Sequence, residues 1–215
     1  MIKTKEEILN TQKEYDKNKY PEEFYNSHLE ILKNAKEISE PLSKAVEYLF
    51  LWKLGKIRSR QTLKSSQLEF SDSKGCRYYS IRTIETHCKI IERAIEKERL
   101  KTAISFNNGG ISYDEFKPCA DNLTDSSSAI VLPAFYVHIW RPAEYPILDK
   151  NVWKKFCDEK GKSVFKHTKP GSWKHFEDYT DFFKKLVADT GLDRRTVDRG
   201  LWVLGSQLKS KKGCA

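Results

Sequence analysis

The stretch "SSSAIVLPAFYVHIWRPAEYPILDKNVWKKF", residues 126–156, decides the fold that we expect for this chain. Its first half is apolar on every side apart from Tyr136 and His138, which is typical of a helix enclosed by neighbouring helices. Prolines stiffen the segment that follows, and Asp149 then falls at the natural N-cap position of a next helix, "KNVWKKF". The stretch therefore predicts a core helix over 129–140, an extended connection and a capped second helix.

Helix signals recur along the rest of the chain. Thr4 opens a capping box with the glutamate three residues later, Ser39 precedes an apolar helix, and Asp193 caps the last helix. Apolar residues at helical spacing predict one long helix over 81–100 and another over 173–188. Because helix follows helix, the predicted fold class is all-α.

Two stretches do not fit a helical pattern. Residues 55–78 are rich in lysine, arginine and serine, and a short strand is predicted there at "QLEF". Two interpretations of this basic loop are equally compatible with its composition: a flap that contacts phosphates, or a solvated connection between helices. Further on, "FNNGG" at 106–110 predicts a turn and a small β-hairpin.

The composition limits the class of protein. With 215 residues the chain can form a single compact helical unit over 1–215, in which two lobes would divide as 1–115 and 116–215. The formal net charge of +9 indicates a polyanionic partner, with nucleic acid as the first candidate. An excess of lysine that only keeps the protein in solution explains the charge equally well.

Other sequence features narrow the location and the chemistry. The five cysteines are odd in number and widely spaced, without a C-x-x-C pair, which indicates reduced thiols and neither a metal site nor an iron–sulfur cluster. The sequence shows no signal-peptide pattern and no membrane-spanning run, so we expect a cytoplasmic monomer with no membrane partner. Glycine-rich phosphate loops are absent as well, and we predict no cofactor and no metal.

The apolar helix, the short turn and "YPILDKNVWKKF" together resemble the helix-hairpin-helix (HhH-GPD) DNA glycosylase superfamily. The closing "RRTVDRGLWVLGSQLK" is similar to the end of uncharacterised bacterial proteins that look like distant relatives of this superfamily, and the resemblance covers about residues 115–210. It implies a two-lobed helical bundle that binds double-stranded DNA, flips a damaged or modified base out of the duplex and cleaves its N-glycosidic bond. Asp149 would be the catalytic carboxylate.

The chain departs from the superfamily pattern at two places. The glycine turn that grips a DNA phosphate is replaced by "NLTDSSSA", so Ser126, Ser127 and Ser128 at a helix start become the candidate phosphate ligands. The lysine nucleophile of bifunctional members is missing between 121 and 149, which implies a monofunctional enzyme that uses water. Lys117, farther upstream, remains the candidate nucleophile if the enzyme has lyase activity.

The resemblance also suggests roles for residues around Asp149. Candidates for a base pocket are the aromatic residues of the buried helices, and candidates for DNA phosphate contacts are the basic residues beside the aspartate. The pocket candidates are Trp52, Tyr136, His138 and Trp140, and the phosphate candidates are Arg141 and Lys150.

Two interpretations from different classes stay open at this point. One is a DNA N-glycosylase, acting in DNA repair or in defence against phage, with Asp149 as its catalytic residue. The other is a helical module that binds DNA or RNA without chemistry, in which Asp149 only caps its helix, a role that stabilises a protein by about 1 kcal/mol. The missing glycine turn favours the binding module, and the apolar setting of Asp149 favours the enzyme.

Overall fold

The computed structural model describes residues 5–15, 17, 20–59, 69–71, 77–80, 88–125, 130–163 and 169–208. Within these ranges the chain is mostly helical, which confirms the all-α prediction. The α-helices are α1 (Lys5–Thr11), α2 (Glu22–Lys33), α3 (Glu40–Lys53), α4 (Cys88–Ala94), α5 (Lys97–Asn107), α6 (Tyr113–Asp121), α7 (Val131–Trp140), α8 (Lys150–Glu159), α9 (Trp173–Thr190) and α10 (Arg194–Gln207). A single 3₁₀ turn, Gln12–Glu14, follows α1.

A small antiparallel sheet lies in the basic segment. Its strands are β1 (Ile57–Arg58), β2 (Glu69–Ser71) and β3 (Arg77–Ser80), and β3 is the central strand of the order β1-β3-β2. The strand expected at "QLEF" overlaps β2 at Glu69 and Phe70, and the first two residues of that stretch lie outside the described residues.

The chain divides into two compact units that are not continuous in sequence. The first unit comprises residues 1–15, 125–138 and 142–215, and the second comprises 16–124 and 139–141. The N-terminal helix α1 therefore belongs to the same unit as the C-terminal helix α10, against which it packs.

In the first unit, α10 packs against both α1 and α8, and two glycines make these contacts close. A Cβ atom at Gly200 would lie 2.7 Å from Cγ2 of Ile8, and a Cβ atom at Gly205 would lie 1.9 Å from the backbone oxygen of Asn151. Helix α9 packs on α8 and α10 and contributes the buried ring of Phe176 to the core. Since no side chain larger than hydrogen fits at 205, the glycine fixes the distance between α10 and the start of α8.

The second unit packs α2 on α3, and α5 on α6. The rings of Phe106 and Phe116 stack at 4.3 Å between centroids and join α5 to α6. Trp52 on α3 is 2% exposed and donates its indole N–H to the carbonyl of Pro21 at 3.0 Å. Burial of such large rings is the main source of stability for a unit of this size.

The predicted helix caps are present wherever the structure describes them. Ser39 Oγ accepts from the backbone N–H of Leu42, and Asp193 Oδ1 accepts from that of Thr196. The capping box predicted at Thr4 lies outside the described residues. These caps follow from local chemistry alone, because a short polar side chain satisfies a backbone N–H that has no partner inside the helix.

The single long helix predicted over 81–100 is wrong in its described part. Helix α4 ends at Ala94, and α5 starts at Lys97 and continues to Asn107. The break occurs at Glu96, whose backbone leaves the helical region, with ψ at 137°. The apolar spacing runs on through the break, so periodicity alone could not reveal it.

The β-hairpin predicted after "FNNGG" is also wrong. The turn itself is present, with Gly109 at a φ of 77°, but the chain then enters helix α6 instead of a strand. The helix starts there because Ser112 and Glu115 form a reciprocal capping box, in which each side chain bonds to the other's backbone N–H.

Candidate functional site

Asp149 is held at the first turn of α8 in the first unit. Its backbone is extended, and its Oδ1 atom accepts from the backbone N–H groups of Asn151 at 2.7 Å and Val152 at 3.1 Å. The predicted N-cap is therefore confirmed. The side chain is half-buried, whereas Asp193, which caps α10 in the same way, is exposed. Capping alone does not require a carboxylate to be withdrawn from water, so the burial of Asp149 has another cause.

The segment that leads to Asp149 is fixed by His138. This histidine is 5% exposed on α7, and its Nδ1 atom donates to the carbonyl of Tyr145 at 2.7 Å. The residues between Tyr145 and Asp149 are buried, with Leu148 fully so. This hydrogen bond thus joins the proline-stiffened connection to α7, and the position of Asp149 depends on it.

The start of α8 is fixed from a second side by α10. The backbone of Asn151 approaches Gly205 so closely that the glycine has no room for a side chain. Asn151 is also one of the two residues whose N–H groups bind the Asp149 carboxylate. The α8–α10 contact therefore orients the carboxylate through the backbone of the first helical turn.

Three further side chains of the first unit act on one another electrostatically near this carboxylate. Tyr179 of α9 is fully buried, Asp198 of α10 is 7% exposed, and Arg194 at the start of α10 is half-buried. The charges of Asp198, Asp149 and Arg194 all act on the hydroxyl group of Tyr179. We refer to these four residues, Asp149, Tyr179, Arg194 and Asp198, as the Asp149 cluster.

Burial and charge set the protonation states in the Asp149 cluster. Burial raises the pKa of Tyr179 well above its usual value, and the negative charges of Asp198 and Asp149 raise it further. Burial lowers the pKa of Arg194, although Tyr179 and Asp198 oppose this shift. The tyrosine is therefore a neutral hydroxyl at physiological pH, and the arginine stays a cation because the usual pKa of a guanidinium lies far above that pH.

Asp198 has a strong partner on its own helix. Its Oδ2 atom accepts from Nη1 of Arg195, and Nη2 of Arg195 donates to the hydroxyl of Tyr15 at 3.3 Å. The arginine also lies over the ring of Tyr15, with 5.4 Å to the ring centroid. Arg195 and Asp198 therefore form an ion pair within α10.

The pocket candidates fall in both units. His138 and Tyr136 share the first unit with Asp149, and both are buried on α7. Trp140, at the end of the same helix, and Trp52 belong to the second unit, where Trp52 also packs on Tyr25 with ring centroids 4.4 Å apart. Each of these aromatic side chains is 5% exposed or less, as expected of core residues.

The basic candidates also differ in their surroundings. Arg141 donates from Nε and Nη2 to the carbonyl of Phe106, at 2.8 and 2.5 Å. Its Cζ atom also lies over the ring of Phe106, 4.2 Å from the ring centroid. Lys117 lies over the ring of Tyr113 in the second unit, at 5.6 Å. Lys150 is exposed on the first turn of α8. Ser126, Ser127 and Ser128 lie outside the described residues.

The sequence did not reveal Tyr179 and Asp198 as members of the site. A signal was available, because Tyr179 lies at helical spacing between Phe176 and Phe183, and Asp198 lies three residues before the buried Leu201. A titratable residue on an apolar stripe is worth attention, since burying a charge without a partner is costly. Charged neighbours in "DRRTVDRG" obscured this signal.

The arrangement supplies a carboxylate, a neutral hydroxyl and guanidinium groups, which can stabilise developing charge and orient a small molecule or water. In the part of the chain that the structure describes, no three His, Cys, Asp or Glu side chains are grouped to bind a metal ion. None of the described helices combines the length and apolar composition that a membrane crossing requires. No known protein family, curated protein or solved structure matches the chain.

Proposed function

We propose that the protein is a monofunctional DNA N-glycosylase whose catalytic carboxylate is Asp149. The observation that carries this proposal is the half-buried state of Asp149, held by two backbone N–H groups and acting electrostatically on a buried tyrosine. The exposed Asp193 shows that a helix cap in this protein does not need such surroundings. The order of elements, a buried helix, a proline-stiffened connection and a capping aspartate, also supports the resemblance to helix-hairpin-helix glycosylases.

The proposed reaction breaks the bond between C1′ of deoxyribose and the base nitrogen. The bonding electron pair leaves with the base, and the sugar becomes oxocarbenium-like, so a nearby carboxylate stabilises the positive charge. A water molecule then attacks C1′ while Asp149 orients it and accepts its proton. The products are the released base and an abasic site, and no lysine–sugar adduct forms.

DNA binding by the first unit is supported by its exposed lysines. Lys150, Lys160, Lys162 and Lys169 are exposed at the start of α8, just after its end and just before α9. Together with the net charge of +9 they favour contact with phosphates, whose strength should fall steeply as salt is added. The target base would have to leave the duplex to reach Asp149.

The test is base release by the wild type and by Asp149→Asn. The protein is incubated with duplexes that carry a panel of damaged and modified bases, and both the released base and abasic sites are measured. Asparagine keeps the N-cap, so loss of release in this variant reports the loss of the charge. Asp193→Asn, which removes a capping carboxylate from the same unit, is the matched control and should keep its activity.

A binding module without chemistry is the second candidate function. It is favoured by the two cap hydrogen bonds, which give Asp149 a sufficient structural role without any reaction. In that case wild type and Asp149→Asn release no base from any duplex, and both bind DNA with the same affinity and the same dependence on salt. Release of base by the wild type alone would reject the binding module.

A further inference from the structure

We propose that Arg194, at the start of α10, is a phosphate-contact residue through which the first unit holds the backbone of DNA. This inference rests on the proposed function for the identity of the partner, and it adds an arginine to the exposed lysines of that unit. It concerns binding and not the chemical step, so it can be tested on a duplex that carries no damaged base.

Three arginines lie on the first two turns of α10, in "DRRTVDRG", and the structure gives them different surroundings. Arg195 forms an ion pair with Asp198, and Arg199 donates from Nη2 to the hydroxyl of Thr196 at 3.3 Å. Arg194, in contrast, makes no hydrogen bond and no ion pair with any of the described residues. Its guanidinium is therefore available for a partner outside the described part of the chain.

The side chain of Arg194 is nevertheless positioned by packing. It is half-buried, and its Cζ atom lies over the ring of Phe183 on α9, 5.0 Å from the ring centroid. Its Nη2 atom is buried, whereas its Nε and Nη1 atoms are not, so the N–H groups of these two nitrogens reach solvent. A guanidinium that is already positioned loses less conformational freedom when it binds an anion.

The charges around Arg194 do not neutralise it fully. The N-terminal end of a helix carries a partial positive charge, so a cation is unfavourable there. Burial lowers the pKa of Arg194, and the electrostatic effects of Tyr179 and Asp198 oppose this shift without cancelling it. The arginine whose charge acts on Asp193, the neighbouring cap residue, is Arg199. A phosphate would therefore compensate the guanidinium and the helix end together.

Arg194 is set apart from Asp149 along α10. It precedes Gly205 by eleven residues, about 16 Å along the helix axis, and Gly205 meets the backbone of Asn151, whose N–H binds the Asp149 carboxylate. A phosphate at Arg194 would therefore belong to a nucleotide other than the one that reacts. Because phosphate contacts carry no sequence information, this contact should strengthen binding equally for duplexes of any sequence.

The test is the binding of an unmodified duplex as the salt concentration is varied. We expect Arg194→Gln to raise Kd about tenfold and to reduce the slope of log K against log salt by about one, as the loss of one phosphate contact implies. Arg199→Gln is the matched control, because it removes the same charge from the same helix, and its slope should equal that of wild type. Arg194→Lys keeps the charge but not the planar fork, so its slope should stay while its Kd rises.

Stability and activity separate the outcomes. The urea midpoint of Arg194→Gln should equal that of wild type, because the side chain makes no hydrogen bond or ion pair with the described residues. A Kd and a slope that match those of Arg199→Gln would overturn the inference, and so would a wild type that binds no duplex. If the slope changes as expected but no duplex releases a base, the proposed glycosylase fails while the phosphate contact stands. If the wild type releases a base and Arg194→Gln binds DNA as wild type does, the contact alone is rejected.

Discussion

The substitution Gly205→Ala tests the close contact between α10 and the start of α8. Helix propensity alone predicts that alanine stabilises α10 by about 1 kcal/mol relative to glycine. The structure predicts the opposite sign, because the new Cβ atom would lie 1.9 Å from the oxygen and 2.5 Å from the carbonyl carbon of Asn151. Both neighbours are backbone atoms, so no side-chain rotation can relieve the overlap.

The size of the effect follows from the displacement that the alanine requires. A carbon and a carbonyl oxygen approach to about 3.3 Å, so the start of α8 has to move away by about 1.4 Å. Overpacking of this kind costs about 3 kcal/mol, and the gain in helix propensity offsets about 1 kcal/mol of it. We therefore expect the free energy of unfolding to fall by about 2 kcal/mol, which lowers Tm by about 4–8 °C for a chain of this length. Under the proposed function, base release should also fall about a hundredfold, because Asp149 moves with the first turn.

Urea denaturation of four proteins provides the assay: wild type, Gly205→Ala, Gly200→Ala and Gly171→Ala. A Cβ atom at Gly200 would lie 2.7 Å from Cγ2 of Ile8 and 3.2 Å from its backbone oxygen, a smaller overlap than at Gly205, so that variant should lose less stability. A Cβ atom at Gly171 would meet nothing within 4 Å, and its variant should behave like wild type. If Gly205→Ala is as stable as wild type, or more stable, the close approach of α8 and α10 is refuted.

Two further substitutions test a helix cap, Asp193, and a half-buried cation, Arg141. Burial raises the pKa of Asp193, but hydrogen bonds from Thr196 and the charge of Arg199 outweigh it, so the pKa lies below its usual value. Asp193→Ala should then lower the free energy of unfolding by about 1 kcal/mol at pH 7. In urea titrations this difference from wild type should shrink as the pH falls below about 4, because the wild-type carboxylate becomes protonated. A difference that stays constant with pH would contradict an ionic cap. Arg141→Lys should lower the free energy of unfolding by about 1–2 kcal/mol, because lysine cannot reproduce the two hydrogen bonds to the Phe106 carbonyl or the planar stacking on the Phe106 ring. An unchanged urea midpoint would show that these contacts contribute nothing to stability.

The features that the sequence predicted correctly are those that depend on a few neighbouring residues. Ser39, Asp149 and Asp193 cap their helices as expected, because a cap is satisfied by the next three residues of the same chain. The continuous apolar run of α7 likewise predicted its burial. In contrast, the break at Glu96 and the helix after "FNNGG" depended on local choices that apolar spacing does not distinguish.

The candidate site was predictable only at Asp149. The burial of Tyr179 and Asp198 results from packing between helices that are far apart in sequence, and a single sequence gives no direct measure of such contacts. The same holds for Gly205, which looks like a weak point in a helix until the approach of the Asn151 backbone explains it. The catalytic role of Asp149, the base it would release and the DNA partner stay predictions.

The division of the chain into units has a consequence for synthesis on the ribosome. Helix α1 is made well before α10, yet its fully buried Ile8 packs against Gly200 of α10. Most of the second unit, residues 16–124, is made before α10 and can begin to fold in the meantime, whereas the buried contact of α1 forms only after α10 has been made. During that interval the face of α1 that carries Ile8 stays uncovered. A chain interrupted before α10 would therefore keep that face exposed and be a natural substrate for chaperones.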